Sequence, residues 1–206
     1  MKRSMIVGLA AGLLTAACAG TDRGAPAAPQ FARVQEPGGE PDLIVDTKRL
    51  ANSWHVSDQD LNKQDACSLI EGGVTPGTHR VLRFTVTTPN IGTADLHIGN
   101  PLDHVVARDG LFEFAACHAH FHFRHYATYE LIGAGTGEPV VIRAAKRGFC
   151  MIDVTPWRTD GGGGPRKYDA CGTQVSRGNQ GISVGYADSY DKHIGGQYFV
   201  LDGGDG

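Results

Sequence analysis

The sequence lacks the features of a helical bundle or of a nucleic-acid-binding protein. Its formal net charge is only −3, and no stripe or block of lysine and arginine supplies the attraction that nucleic acid requires. No segment longer than a few turns carries apolar residues at helical spacing, and no internal repeat is present. Aromatic residues make up 8% of the chain and glycine occurs 29 times. This balance favours one loop-rich β domain.

The N-terminal apolar run is too short to span a bilayer comfortably. Residues 5–16 follow two basic residues and end in small residues directly before Cys18, a pattern that resembles a bacterial lipoprotein signal. We therefore expect residues 1–18 to be a lipoprotein-type signal peptide. Cys18 would be lipidated and would anchor the exported chain to the cell envelope. Ordinary secretion, with cleavage after Ala17 or Ala19, is the alternative.

The rest of the chain divides into a linker and one domain. Residues 19–40 are rich in Ala, Pro and Gly without apolar periodicity, which predicts a disordered linker. The domain is expected over residues 41–206, and residues 50–70 are expected to hold a short helix. Strands are predicted at residues 79–88, 113–123, 126–132, 139–153 (interrupted near 147–148) and 197–202. The expected fold is mainly β, a small β-sandwich with long loops and one short helix.

Four cysteines lie in the predicted domain. An even number in an oxidising compartment predicts two disulfides, and four cysteines allow three pairings. Four reduced, buried thiols are the alternative. These cysteines are Cys67, Cys117, Cys150 and Cys171.

The most informative segment is residues 117–123 (CHAHFHF). In a strand, alternate residues share a face, so His118, His120 and His122 would lie together and the residues between them would form an apolar face. Three imidazoles suit copper, zinc, iron or nickel. Because the outer two histidines are four residues apart, all three bind one ion only in a twisted or bulged strand, or else His125 replaces one of them. A histidine-rich surface strand without metal is the alternative.

The histidine segment and several others, in the same order, resemble the lysyl oxidase family. The resemblance covers roughly residues 41–202. Residues 117–122 are similar to the family's copper-binding motif, and residues 146–150 (KRGFC) are similar to the segment with its cofactor lysine. Further similar segments are residues 41–43 (PDL), 83–84 (RF), 90–95 (NIGTAD), 129–132 (YELI), 179–183 (NQGIS) and 187–190 (ADSY).

The resemblance implies a copper-dependent amine oxidase. The family's catalytic group is lysine tyrosylquinone, which by position would form from Lys146 and Tyr190, with Tyr186 as the alternative tyrosine. Cu(II) would be held by the three histidines of residues 118–122. The implied reaction uses dioxygen to convert primary amines, such as lysine side chains or small alkylamines, to aldehydes with release of hydrogen peroxide and ammonia. A quinone is needed because amino-acid side chains supply no good two-electron sink.

The carboxylate of Asp188 lies two residues before Tyr190 and is predicted to accept a proton or to support the site from outside the ligands. A turn cap is its alternative role. The resemblance also implies the disulfide pairing, with Cys67 joined to Cys117 and Cys150 joined to Cys171.

The sequence departs from the family in three places. Thr128 stands where animal members carry a histidine that is often proposed as the catalytic base, although His125 lies nearby. Residues 159–167 are reshaped, so substrate preference does not transfer. The chain ends at Gly206 where family members continue, which suggests a truncated C-terminus. A zinc hydrolase and a non-enzymatic copper-binding lipoprotein are therefore kept as rival functions.

Overall fold

The computed structural model describes residues 39–64, 66–124, 126–133, 141–157 and 164–202. Strands dominate the regular structure of these residues, so the predicted mainly-β class is confirmed. The described strands form five small antiparallel sheets of two or three strands each. No helix in this part of the chain is long and apolar enough to cross a membrane.

All of these strands and helices are short. In chain order, the strands are β1 (His55–Asp60), β2 (Thr78–Arg83), β3 (Val86–Pro89), β4 (Leu96–Gly99), β5 (Phe112–Ala115), β6 (His120–Phe123), β7 (Glu130–Ile132), β8 (Val141–Arg143), β9 (Thr155–Pro156), β10 (Gln180–Ile182), β11 (Tyr186–Tyr190) and β12 (Tyr198–Val200). The helices are α1 (Thr47–Ser53), α2 (Leu61–Gln64), α3 (Ala66–Gly72) and α4 (Pro101–Ala107). The sheets are β1-β2-β12, β10-β4, β3-β11-β9, β5-β6 and β7-β8.

Helices are more numerous than the single one predicted. Asp46 caps α1, since its carboxylate accepts from the backbone N–H of Arg49 at 2.9 Å. Pro101 begins α4, where its missing N–H costs nothing. Each helix is too short to produce an extended apolar stripe, which is why helical periodicity did not predict it.

Two predicted strands are shorter in the structure because their backbones bond elsewhere. Residues 79–88 divide into β2 and β3, and the N–H of Thr85 at the break donates to the Ser53 hydroxyl at 2.9 Å. Of residues 139–153, only β8 is a described strand. The amide of Ala144 still donates to the carbonyl of Tyr129, in register with the β7–β8 pairing, but the amide of Ala145 donates to the carbonyl of Tyr198, so the chain leaves this ladder at Ala145.

The core consists of three apolar clusters, two of which include the neighbouring residues Ala144 and Ala145. One contains Phe121, Phe123 and Met151. Ala145 belongs to a second with Tyr198, while its neighbour Ala144 belongs to a third. Full burial of an aliphatic or aromatic side chain stabilises a fold by about 1.5–3 kcal/mol. The backbone directly before Lys146 is therefore fixed from two sides.

Candidate metal centre and the Lys146–Tyr190 pair

The histidine segment is a hairpin and not the single strand predicted for residues 113–123. Strands β5 and β6 pair antiparallel, with Ala115 opposite His120, and residues 116–119 form the turn between them. Ala119 at this turn has a φ of 56°, in the left-handed region. Cys117 and Ala119 are exposed in the turn, so they do not join the predicted apolar face.

Burial of aromatic rings explains the reversal. Phe121 and Phe123 of β6 are buried, and each contacts a phenylalanine of β5 edge-on, Phe114 and Phe112 respectively. A continuous strand would separate these rings. Folding back gives each ring a partner, and such pairs add about 0.5–1.5 kcal/mol beyond the area they bury.

The turn places the ring of His118 beside those of His120 and His122. The ring centres lie 5.6 Å apart for His118 and His120, 5.1 Å for His118 and His122, and 5.0 Å for His120 and His122. In a single strand, one of the outer histidines would lie too far away to share the ion. Here His118 lies in the turn and not in the strand, so its ring approaches the other two from the end of the hairpin.

This spacing fits three imidazoles around one transition metal ion. A metal–nitrogen bond of about 2.0–2.1 Å puts ligating ring centres about 5–5.5 Å apart at ordinary angles between ligands. No group of three or more His, Cys, Asp or Glu side chains in the described part of the chain already has the donor geometry of an assembled site. The ring centres nevertheless lie at the separation that a shared ion requires, and small side-chain rotations move the donor atoms without moving the hairpin. His125, the predicted substitute ligand, lies outside the described residues.

Burial and nearby positive charge keep the imidazoles of His120 and His122 neutral. His122 is only 3% exposed, and burial, followed by the charge of Lys146, lowers its pKa from 6.5 to about 3. Burial, His118 and Lys146 also lower the pKa of His120. Neutral imidazole is the form that binds metal, so these rings need no deprotonation at neutral pH.

Lys146 and Tyr190 lie together in the structure. The Nζ of Lys146 is 5.2 Å from the centre of the Tyr190 ring and 5.7 Å from that of Phe149. Phe149 in turn contacts Tyr190 edge-on, with ring centres 5.1 Å apart. Tyr186, the alternative tyrosine, packs against the cluster that contains Met151. The geometry therefore favours Tyr190 as the partner of Lys146.

Tyr190 is buried at the end of β11, opposite Val86 of β3. Its hydroxyl donates to the carbonyl oxygen of Cys150 at 2.8 Å. Burial, with the nearby carboxyl of Asp188, raises the pKa of Tyr190 well above its usual value. Strand β11 was not predicted, because Asp188 and Ser189 give its sequence (YADSY) little β propensity.

Asp188 lies in the middle of β11, which excludes the alternative role as a turn cap. It shares a strand face with Tyr190, two residues on. The side chain is 1% exposed, and its Oδ2 has no hydrogen-bond partner among the described residues. Burial raises the pKa of Asp188 well above its usual value, while Lys146 and hydrogen bonding with Tyr190 act in the opposite direction.

Both disulfides have the pairing that the resemblance implied. Cys67 joins α3 to the histidine turn at Cys117. Cys150, whose carbonyl holds Tyr190, is joined to Cys171. Two disulfides fit an exported protein, because they persist in oxidising compartments.

Two residues that hold the site in place, Gln180 and Gly148, were not predicted from the residue pattern. Gln180 is fully buried; its Nε2 donates to the carbonyls of Phe121 and Cys171, and its Oε1 accepts from the N–H of Met151. Gly148 lies so close to His122 that a Cβ built there would overlap the imidazole. The segment NQGIS drew attention to residue 180 only through the resemblance, and a lone glycine gave no signal.

A mainly apolar cavity of about 510 Å³ lies apart from this site. Its lining is mainly aliphatic and includes Leu43, Val86 and Met151. Tyr126 and Tyr129 separate it from Phe149, which they contact edge-on. Its described lining includes none of the histidines of residues 118–122, nor Lys146 or Tyr190.

Comparison with known proteins identifies the class. The family model for lysyl oxidase matches residues 41–202, most of the chain, and the chain therefore belongs to the lysyl oxidase family.

One relative is lysyl oxidase homolog 2 of Gallus gallus, which is 27% identical over 173 residues. The match covers 78% of this chain and 20% of that protein, so the chain spans about a fifth of the length of the curated relative it matches.

Proposed function

We propose that this chain is a copper-dependent amine oxidase. It would convert primary amines, either lysine side chains or small alkylamines, to aldehydes with dioxygen and water, releasing hydrogen peroxide and ammonia. The observation that carries this proposal is the position of Lys146. Its Nζ lies over the ring of Tyr190, while its charge acts on His120 and His122. Membership of the lysyl oxidase family supports the same chemistry.

The residues present fit the two cofactors. His118, His120 and His122 offer three nitrogen donors at suitable ring spacing and would hold Cu(II). When bound, copper with dioxygen would supply the oxidation that joins Lys146 and Tyr190 as lysine tyrosylquinone, the two-electron sink for the amine.

The surrounding side chains would control protons and orientation. The hydrogen bond from Tyr190 to Cys150 fixes the phenol ring beside Lys146. Lys146 must lose a proton from Nζ before that nitrogen can form a bond. We assign Asp188 as the proton acceptor, at Oδ2. A buried carboxyl with a raised pKa exchanges protons nearer to neutral pH than an ordinary aspartate.

The cellular setting belongs to the same proposal. Residues 1–18 would direct export, Cys18 would carry the lipid anchor, residues 19–40 would form the linker, and residues 41–206 would form the catalytic domain. The partners would be a primary amine and dioxygen, without nucleic acid. Intact mass of the protein from membranes tests this part, since lipidation adds acyl mass at Cys18. A mature chain that begins after Ala19 would contradict the anchor.

Peptide mapping after aerobic copper loading of the metal-free protein tests the enzyme. We expect one linked peptide pair that contains Lys146 and Tyr190, and we expect the exposed-site variant Lys48→Arg to form it equally well. Copper bound without that link would instead indicate a non-enzymatic copper-binding lipoprotein. Colourless protein that retains zinc and hydrolyses esters would indicate the zinc enzyme.

The variant His120→Ala tests the metal ligands. Copper uptake and the Lys146–Tyr190 link should both be lost, because the middle imidazole of the three is removed. His193→Ala is the matched control, since that side chain is 80% exposed. A link that still forms in His120→Ala would show that the metal is bound elsewhere.

A further inference from the structure

Helix α3 is attached to the histidine turn at two points. Cys67 and Glu71 are four residues apart on α3 and therefore lie on the same face of the helix. Cys67 is bonded to Cys117, with their Cα atoms 5.6 Å apart. One helical turn further on, Glu71 faces His118, the residue next to Cys117. The covalent bond thus fixes the distance over which the second contact forms.

The second contact is between the carboxylate of Glu71 and the imidazole of His118. The Oε2 of Glu71 lies 3.2 Å from the Nε2 of His118. Both side chains are about one-quarter exposed, at 24% and 25% respectively, so solvent screens the pair only in part. The contact occupies one nitrogen edge of an imidazole whose other edge remains for a metal ion.

The same helix also packs against the segment that carries Lys146. A Cβ built on Gly72, at the end of α3, would lie 2.7 Å from the carbonyl oxygen of Ala145. Ser68 and Lys146 both pack closely against Gly196, since a Cβ built there would lie 3.1 Å from Ser68 Oγ and 3.1 Å from Lys146 Cα. Helix α3 therefore contacts the histidine turn and the lysine segment together.

We propose that Glu71 is a positioning residue of the metal site. Its carboxylate accepts a hydrogen bond from Nε2 of His118, which fixes the ring and leaves Nδ1 as the ligating nitrogen. A carboxylate behind a ligating histidine raises the basicity of the ring and sets its orientation. Glu71 also adds negative charge close to a divalent ion. This inference rests on the proposed copper site but does not require amine oxidation.

Copper affinity, measured by competition with a chelator, tests the proposal. Glu71→Gln keeps the shape but removes the charge, and we expect it to weaken copper binding roughly 10–100-fold. Glu71→Asp, which keeps a carboxylate one methylene further away, should lie in between. The control is Glu130→Gln, which changes net charge equally but breaks a surface pair with Arg143 and should leave affinity unchanged.

A spectroscopic readout separates positioning from general stability. Pulsed electron paramagnetic resonance of the Cu(II) protein detects the remote nitrogen of each ligating imidazole. Its quadrupole coupling depends on the hydrogen bond that this nitrogen makes. Glu71→Gln should change the quadrupole coupling of one such nitrogen, without changing the urea midpoint of the metal-free protein. Unchanged affinity and an unchanged spectrum would overturn the proposal.

A double-mutant comparison assigns the effect to His118. If Glu71 acts through that ring, Glu71→Gln should have no further effect on copper affinity in a His118→Ala background. An equal loss in both backgrounds would overturn the proposal. A wild-type protein that binds copper and responds to Glu71→Gln, but never links Lys146 to Tyr190, would refute only the amine oxidase.

Discussion

The backbone of Gly148 packs directly against the imidazole of His122, with no room between them for a side chain. The contact lies on the Nδ1 edge of the ring, so it leaves the Nε2 edge for the proposed metal. It also joins the histidine hairpin to the segment that holds Lys146, two residues before Gly148. The proposed copper site and the proposed cofactor lysine are thus held in place by the same close approach.

Replacement of Gly148 by alanine should therefore displace His122 and abolish or greatly weaken copper binding. The added Cβ overlaps ring atoms that are themselves buried, so the imidazole must move. Gly164→Ala is the matched control, because a Cβ there meets nothing within 4 Å. Chelator competition with both variants gives the answer. Normal affinity in Gly148→Ala would mean that His122 is not a ligand.

The variant Asp188→Asn should slow formation of the Lys146–Tyr190 link and subsequent amine turnover while leaving copper affinity unchanged. The amide has the shape of the carboxyl but cannot take a proton from Lys146. Because Asp188 raises the pKa of Tyr190, that pKa should fall in the variant. The readout is the rate of link formation across pH, in which wild type should show an ionisation that Asp188→Asn lacks. Superimposable profiles would exclude the proton-acceptor role.

Acid should destabilise the metal-free protein through His122. The pKa of this group is about 3 in the folded protein against 6.5 ordinarily, so between these values the unfolded chain binds a proton that the folded chain does not. The free energy of unfolding should therefore fall as pH falls from about 6.5 towards about 3. Urea unfolding at several pH values should show a shallower fall for His122→Gln than for the exposed control His193→Gln. Equal slopes would contradict the prediction.

Loss of the Cys150–Cys171 disulfide should lower the free energy of unfolding by about 3 kcal/mol, given the length of the loop it closes. The double variant to serine should also release the ring of Tyr190, whose hydroxyl bonds to the Cys150 carbonyl.

Loss of the Cys67–Cys117 disulfide, which closes a longer loop, should lower the free energy of unfolding by about 4 kcal/mol. It should also weaken copper binding, since it frees the histidine turn. Urea unfolding measures the stability lost with each disulfide, and chelator competition shows which of the two losses weakens copper binding. Copper affinity that is indifferent to both would argue against the geometry described.

Gln180→Ala should destabilise the fold more than its surface control. The substitution leaves the N–H of Met151 and the carbonyls of Phe121 and Cys171 without their amide partner. Each unpaired buried group costs about 1–3 kcal/mol. Gln174→Ala, at an exposed position, should change the urea midpoint little. A similar midpoint for both variants would show that water replaces the lost hydrogen bonds.

The sequence predicted the fold class from its composition and the candidate metal ligands from their local spacing. The mainly-β class followed from glycine content and absent helical periodicity. The three histidines were identified from their alternation. Lys146 and Tyr190 were chosen only through the family resemblance, since a lone lysine and one of six tyrosines carry no local signal. The structure places these two side chains together.

Long-range packing decided the features that the sequence did not reveal. Strict alternation over residues 117–123 is equally compatible with one strand and with a hairpin end. Burial of Phe121 and Phe123 against β5 selected the hairpin, and the turn then brought His118 to the other two rings. Strand β11 formed despite low propensity, because pairing with β3 on one side and β9 on the other stabilises it.

The sequence by itself determined which chemical groups are available: imidazoles two apart, an even number of thiols, and a lysine and tyrosine in segments similar to a known family. Only the tertiary structure decided that Glu71 meets His118 and that Gly148 meets His122. Each of these contacts joins residues more than 20 positions apart in the chain. Such contacts depend on how turns and sheets close, which no local pattern of residues specifies.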